Sequence, residues 1–219
     1  VTTPAIAGFM SRVYLIMAVG LAITGVTAVV TVQNIQRLAH VATDPWAMWA
    51  LFLVQIVLVV TLSAGVEKLS GAMAFALFAV YSAVTGVTLS TIFLVYSRQS
   101  IASVFWVTSI TFCIVAIYGT VTKRDLTSAG NLLFMLLLGW FVAYLFSFFF
   151  AANGMFNWTV TMVGVAIFVG LTAWDANRIK KMAEAYGDNI PGAYAVNGAL
   201  ALYLDFINLF LLLLRAGSR

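Results

Sequence analysis

Seven apolar runs, each near the length that crosses a hydrocarbon core, dictate what this chain can fold into. They occupy residues 13–32, 46–66, 72–96, 101–121, 129–152, 156–174 and 193–214. A helical span needs about 20 predominantly apolar residues, whereas a β-barrel needs roughly ten-residue alternating segments, which are absent here. In unbroken apolar runs only helices satisfy their own backbone hydrogen bonds. Composition agrees: 63% of the residues are hydrophobic and 8% charged, against about 25% charged in a soluble domain. The expected fold is all-α, a seven-helix integral membrane bundle forming a single transmembrane domain over residues 1–219.

The connections are short and carry turn chemistry, as in "ATDPW", "AANGMFN" and "AYGDNIPG". The first run lacks an A-x-A-like cleavage site and reads as a retained span. A net charge of +4 does not point to nucleic acid, because the basic residues flank apolar runs as anchors and topology signals. One set of alternate connections holds Arg12, Lys68, Lys123, Arg124, Arg178, Lys180 and Lys181; the other holds Arg37, Arg98, Arg215 and Arg219. The positive-inside rule then puts the N-terminus in the cytoplasm. Cys113 is alone in an apolar stretch, and His40 reads as a loop histidine. With no metal-ligand cluster, nucleophile–base pairing or phosphate-binding glycine loop, the chain does not read as an enzyme, and no cofactor is expected.

Seven acidic residues remain to be explained. Asp44, Glu67, Asp125, Glu184 and Asp188 lie in turns or polar connections and read as surface. Asp175, at the end of the sixth run in "GLTAWDANRIKK", and Asp205, inside "ALYLDFINLFLLLLR", do not. An ionised Asp near mid-membrane costs about 2.5–3.5 kcal/mol even on the translocon scale. Gly198, Ala201, Asp205 and Asn208 share one stripe of the seventh helix, and Thr161, Gly164, Thr172 and Asp175 fall near one face of the sixth. Both acids therefore point into the bundle at compatible depth. From the residues alone, two readings stay open: buried acids that only fix packing, Asp175 with Arg178 or Lys181 as partner, or a functional pair.

Four segments, in order, resemble the Bax inhibitor-1 (transmembrane Bax inhibitor motif) family in its short bacterial form. They are "VEKLSGAMAFALFAVYSAVTGVTLSTIF", "YGTVTKRDLTSAG", "GLTAWDANRIKKM" and "ALYLDFINLFLLLLR". The resemblance implies seven helices with the C-terminal helix central, a bacterial inner membrane location, and the activity of a pH-sensitive calcium leak channel. Eukaryotic relatives protect against cell death and lower calcium in the endoplasmic reticulum. The family's paired aspartates fall on Asp175 and Asp205; Asn208, Arg178 and Lys68 are read beside them as supporting residues. One departure is plain. Bacterial relatives carry a second-helix arginine that latches an ionised aspartate, whereas here the second run has no basic residue. Its strongest polar group is Gln55, with Lys68 just beyond it as the candidate replacement.

Two carboxyls in one poorly solvated site cannot both ionise cheaply, so they titrate as a unit. A shared proton would tie the sixth helix to the seventh, and its loss would leave two repelling charges, a switch on helix packing. Calcium, a hard cation taking six to eight oxygens, is the expected permeant ion. Asp175, Asp205, Asn208 and carbonyls would offer it a weak site, and weakness suits conduction. Expected partners are the lipid bilayer, calcium and protons. The rival expectations are a non-transporting regulator of stress or of a membrane-anchored protease, which some bacterial relatives are linked to, and a proton–cation exchanger.

Overall fold

The computed structural model describes residues 3–34, 39, 43–149, 154–187 and 190–217. Arg37, His40, Asp188 and Arg219 lie outside the described residues. Among the described residues seven long helices form: α1 (Thr3–Gln33), α2 (Pro45–Ala64), α3 (Gly71–Leu89), α4 (Arg98–Val121), α5 (Thr127–Phe149), α6 (Gly154–Tyr186) and α7 (Gly192–Gly217). A 3₁₀ turn, Ser90–Leu94, prolongs α3. Among the described residues there is no strand, and all seven helices are long and apolar enough to cross a membrane. This is an all-helical integral membrane protein.

Helix ends follow local chemistry. Asp44 accepts a hydrogen bond from the Trp46 amide at 2.9 Å with Pro45 in the first turn, and Ser70 accepts from the Met73 amide at 3.2 Å to start α3. Both are N-caps that satisfy amides without a helical partner. Two helices outrun their apolar segments. α1 begins at Thr3, so Arg12 lies within it. α6 does not end near Trp174 but continues to Tyr186, because "DANRIKKMAEAY" contains no helix breaker. It stops where Gly187 takes a left-handed φ of 68°, a conformation glycine adopts without steric cost. At 1.5 Å per residue α6 is about 50 Å long, well beyond a hydrocarbon core of about 30 Å.

The chain resolves into two compact units, Val1–Ser97 with Ala183–Tyr203, and Arg98–Met182 with Leu204–Arg219. Helix α7 contributes its first half to the former and its second half to the latter. It is also the most buried helix: more than half of its most apolar stretch is inside the protein, against a third or less for the others.

In the first unit α1 packs against α3, and α2 packs against α3. Closeness depends on missing side chains. A Cβ on Gly86 would lie 2.5 Å from the Thr24 carbonyl oxygen and 2.8 Å from Thr27 Cβ, and one on Gly20 would lie 2.5 Å from the Phe78 ring. In the second unit Ile167, Phe168 and Leu171 of α6 pack with Leu209 and Leu212 of α7, flanked by Leu133, Leu137 and Trp140. Small residues let membrane helices approach without a hydrophobic driving force between them.

A side chain at Gly86 must push α1 away, so Gly86→Leu is expected to cost about 1–3 kcal/mol. Gly25→Ala on α1, where nothing lies within 4 Å of the added carbon, should be neutral or stabilising. Thermal midpoints of the purified protein in detergent check both.

Candidate functional site

Helix α6 ends at Tyr186 and α7 begins at Gly192. Asp175 lies eleven residues before the end of α6, and Asp205 thirteen after the start of α7. Both acids therefore stand about 17–20 Å of helix from those ends. Asp175 is well inside its helix, not at its end. Their exposures are 7% and 5%, and the two carboxyls are within side-chain hydrogen-bond reach of each other. One helical turn away on each helix, at Leu171 and Leu209, the seam is apolar and buried. Asp205 Oδ2 makes no hydrogen bond to another described group. A proton carried by one of the acids supplies the donor that such a contact requires.

One cation stands at the pair. Arg178 Nη2 lies 2.7 Å from Asp175 Oδ1, one turn along α6. Its guanidinium sits 4.7 Å from the centroid of the Trp174 ring, a cation–π contact that fixes the fork. The indole in turn lies on α5 where Gly130 has no side chain; a Cβ there would collide with the Trp174 ring. The end of α6 is tied down around this group. Asn177 Nδ2 donates to the Gly119 carbonyl at 3.1 Å, and Lys181 pairs with Asp125 and donates to Thr127 Oγ1 at 3.3 Å. Asp125 is thus paired across the fold and not with its neighbours Lys123 and Arg124.

The remaining candidates are placed elsewhere. Asn208 uses its side-chain amide on its own helix, donating to the Leu204 carbonyl at 2.8 Å. Gln55 donates to Thr88 Oγ1 at 2.7 Å within the first unit, and Lys68 lies in the α2–α3 turn of that same unit. Asp175, Asp205 and Arg178 all belong to the second unit. Thr161, Gly164 and Thr172 are buried with Asp175, as their shared face requires. As metal donors the two carboxylates provide few of the oxygens a calcium ion takes, so any ion they meet keeps much of its water.

A model of the family described as "Inhibitor of apoptosis-promoting Bax1" matches residues 6–216. The chain belongs to the Bax inhibitor-1 family. It is 43% identical over 210 residues to the inner membrane protein YbhL of Escherichia coli, covering 94% of this chain and 89% of that protein. An uncharacterized protein of Borreliella burgdorferi is 42% identical over 209 residues, covering 94% and 90%. A further uncharacterized protein, from Deinococcus radiodurans, is 38% identical over 214 residues, covering 96% and 90%.

In this Bax inhibitor-1 family member the sequence did not reveal how Arg178 is held. Trp174 at i−4 and the glycine opposite it were the signal, but the second lies on another helix. The buried hydroxyls of Thr24, Ser82, Thr85 and Tyr203 were also missed, because Ser and Thr are common in membrane helices and tyrosine passes for an aromatic core residue.

Asp125, outside the spans, is held well below the usual carboxylate range, first by the hydrogen bond from Lys181 and then by those from Thr127. A depressed carboxyl stabilises the fold above its unfolded value and loses that contribution as pH falls through the folded one. The thermal midpoint of Asp125→Asn should therefore fall below that of the wild type by a constant gap from about pH 7 to 5. The gap should close in stronger acid, as thermal scans in detergent across pH will show.

Proposed function

We propose that the protein is a passive, proton-gated cation leak of the bacterial inner membrane, with calcium as the permeant ion and the N-terminus in the cytoplasm. The observation that carries this reading is the meeting of Asp175 and Asp205, both more than nine-tenths buried, on two adjacent membrane-spanning helices. Such intramembrane acids mark ion and proton pathways.

With one proton between them the carboxyls form a contact that ties α6 to α7. Without it, two like charges repel across a site of low dielectric, and the contact is replaced by pairing with a cation. Arg178 is the cation already at hand, through Asp175. It takes the role that the second-helix arginine plays in bacterial relatives, from the same helix as the acid. A hydrated calcium ion passing the ionised pair competes with it. Two carboxylates and no closed cage bind such an ion weakly, and weak binding permits release. The reading is non-enzymatic and requires no cofactor.

Calcium entry into proteoliposomes, measured across pH, tests it. The wild type should show a pH-dependent passive flux. Asp175→Asn and Asp205→Asn should each flatten the pH dependence, since neither leaves a carboxyl pair. Arg178→Gln should keep a pH-dependent flux but move its midpoint to higher pH, because the ionised form loses its nearest cation. Flux and pH profile unchanged in both Asn variants would overturn the reading. A calcium gradient that drives stoichiometric proton movement would replace it with exchange. No flux in any protein, wild type included, would leave a non-transporting regulator.

A further inference from the structure

A second polar cluster lies in the first unit, on α1, α3 and α7, and contains no charged side chain. Thr24 Oγ1 stands 2.6 Å from the Tyr203 hydroxyl, 2.9 Å from the Ser82 carbonyl and 3.0 Å from the Gly20 carbonyl. The hydroxyls of Ser82 and Thr85 face that of Tyr203, and Thr85 also faces Tyr81, but neither meets hydrogen-bond geometry with them. All five residues are buried, Ser82 and Tyr203 with no exposure at all. Phe78 and Tyr81 close the site edge-on against the Tyr203 ring, at centroid distances of 5.5 and 5.7 Å.

Counting protons shows what is missing. Thr24 has one hydrogen and two carbonyls in reach, so it donates to a carbonyl and Tyr203 donates to Thr24. That leaves Ser82 Oγ and Thr85 Oγ1 as buried hydroxyls with no hydrogen-bond partner. Each such group costs about 1–3 kcal/mol when left unsatisfied. A hydroxyl inside a helix ordinarily escapes this by bonding back to the carbonyl one turn earlier. Thr24, Thr31, Thr88, Thr108 and Thr172 do so here. Ser82 and Thr85 instead turn toward the cluster.

What is orphaned is a pair of donors, and this selects the ligand. A metal cation has no lone pair to accept a hydrogen bond, and an anion would find no compensating charge among these side chains. A neutral acceptor that can also donate, to Tyr203 or Tyr81, meets every requirement, and buried waters commonly make about three such bonds. We propose that Ser82, Thr85 and Tyr203 hold an internal water molecule that bridges α3 and α7 and, through Thr24, α1.

Radiolytic hydroxyl-radical labelling read by mass spectrometry tests this, because radicals formed from a bound water oxidise residues that bulk solvent does not reach. In the wild-type protein in detergent, Tyr203 and Tyr81 should be oxidised within the pulse despite their burial. Ser82→Ala with Thr85→Val should lower that labelling by roughly threefold or more. Absence of labelling at both tyrosines in the wild type, with exposed tyrosines such as Tyr186 labelled normally, would overturn the proposal. Stability gives an independent sign. A dry orphan hydroxyl predicts that Ser82→Ala leaves the thermal midpoint unchanged or raises it, whereas a held water predicts that it falls. An unchanged or raised midpoint would contradict the proposal.

Discussion

Hydrocarbon offers no hydrogen-bond partner, so a polar group inside a membrane protein must find one within the protein or cost several kcal/mol. Helices answer for the backbone. The side chains are answered one by one: threonine hydroxyls bond back to their own helix, Trp140 Nε1 donates to the Val160 carbonyl at 2.7 Å, and Asn177 to that of Gly119. Among the described residues two places resist such local answers, the carboxyls of Asp175 and Asp205 and the hydroxyls of Ser82 and Thr85. In each the partner we propose is small and exchangeable, a proton in one and a water molecule in the other. Neither can be replaced by a leucine without losing the contact that joins two helices.

Much of this is legible in the sequence. The seven spans followed from run length alone, and the inward aim of Asp205 from its stripe of Gly198, Ala201 and Asn208. Thr161, Gly164 and Thr172 marked the buried face that carries Asp175. Hydropathy misplaced the end of α6, since loss of apolar character after Trp174 is not a helix stop; Gly187, with its left-handed φ, marks the end. Contacts between helices were beyond reach. Nothing in the chain told that Asp125 seeks Lys181 in preference to Lys123, or that Trp174 rests on Gly130. Gln55 and Lys68, singled out because the second run has no arginine, lie in the first unit, and Gln55 is engaged with Thr88.

Arg178 changes what that departure means. A cation on a separate helix makes a latch that breaks when helices part. A cation one turn along the same helix stays with its acid whatever α7 does, so in the gating we propose only the Asp175–Asp205 contact reports helix separation. Trp174 holds Arg178, while Asn177 and Lys181 tie that end of α6 to Gly119 and to Asp125 and Thr127. Asp125 lies apart from the pair, its carboxyl held below the usual range by Lys181 and Thr127.

The claim on which this rests is that one proton belongs to both carboxyls. Infrared difference spectra of the wild type in lipid, taken through a pH titration, read it from the carbonyl stretch of a protonated carboxyl. The prediction is a single such band that titrates and that disappears in Asp175→Asn and equally in Asp205→Asn. A band that persists unchanged in either variant would assign the proton to one residue alone and contradict the shared contact.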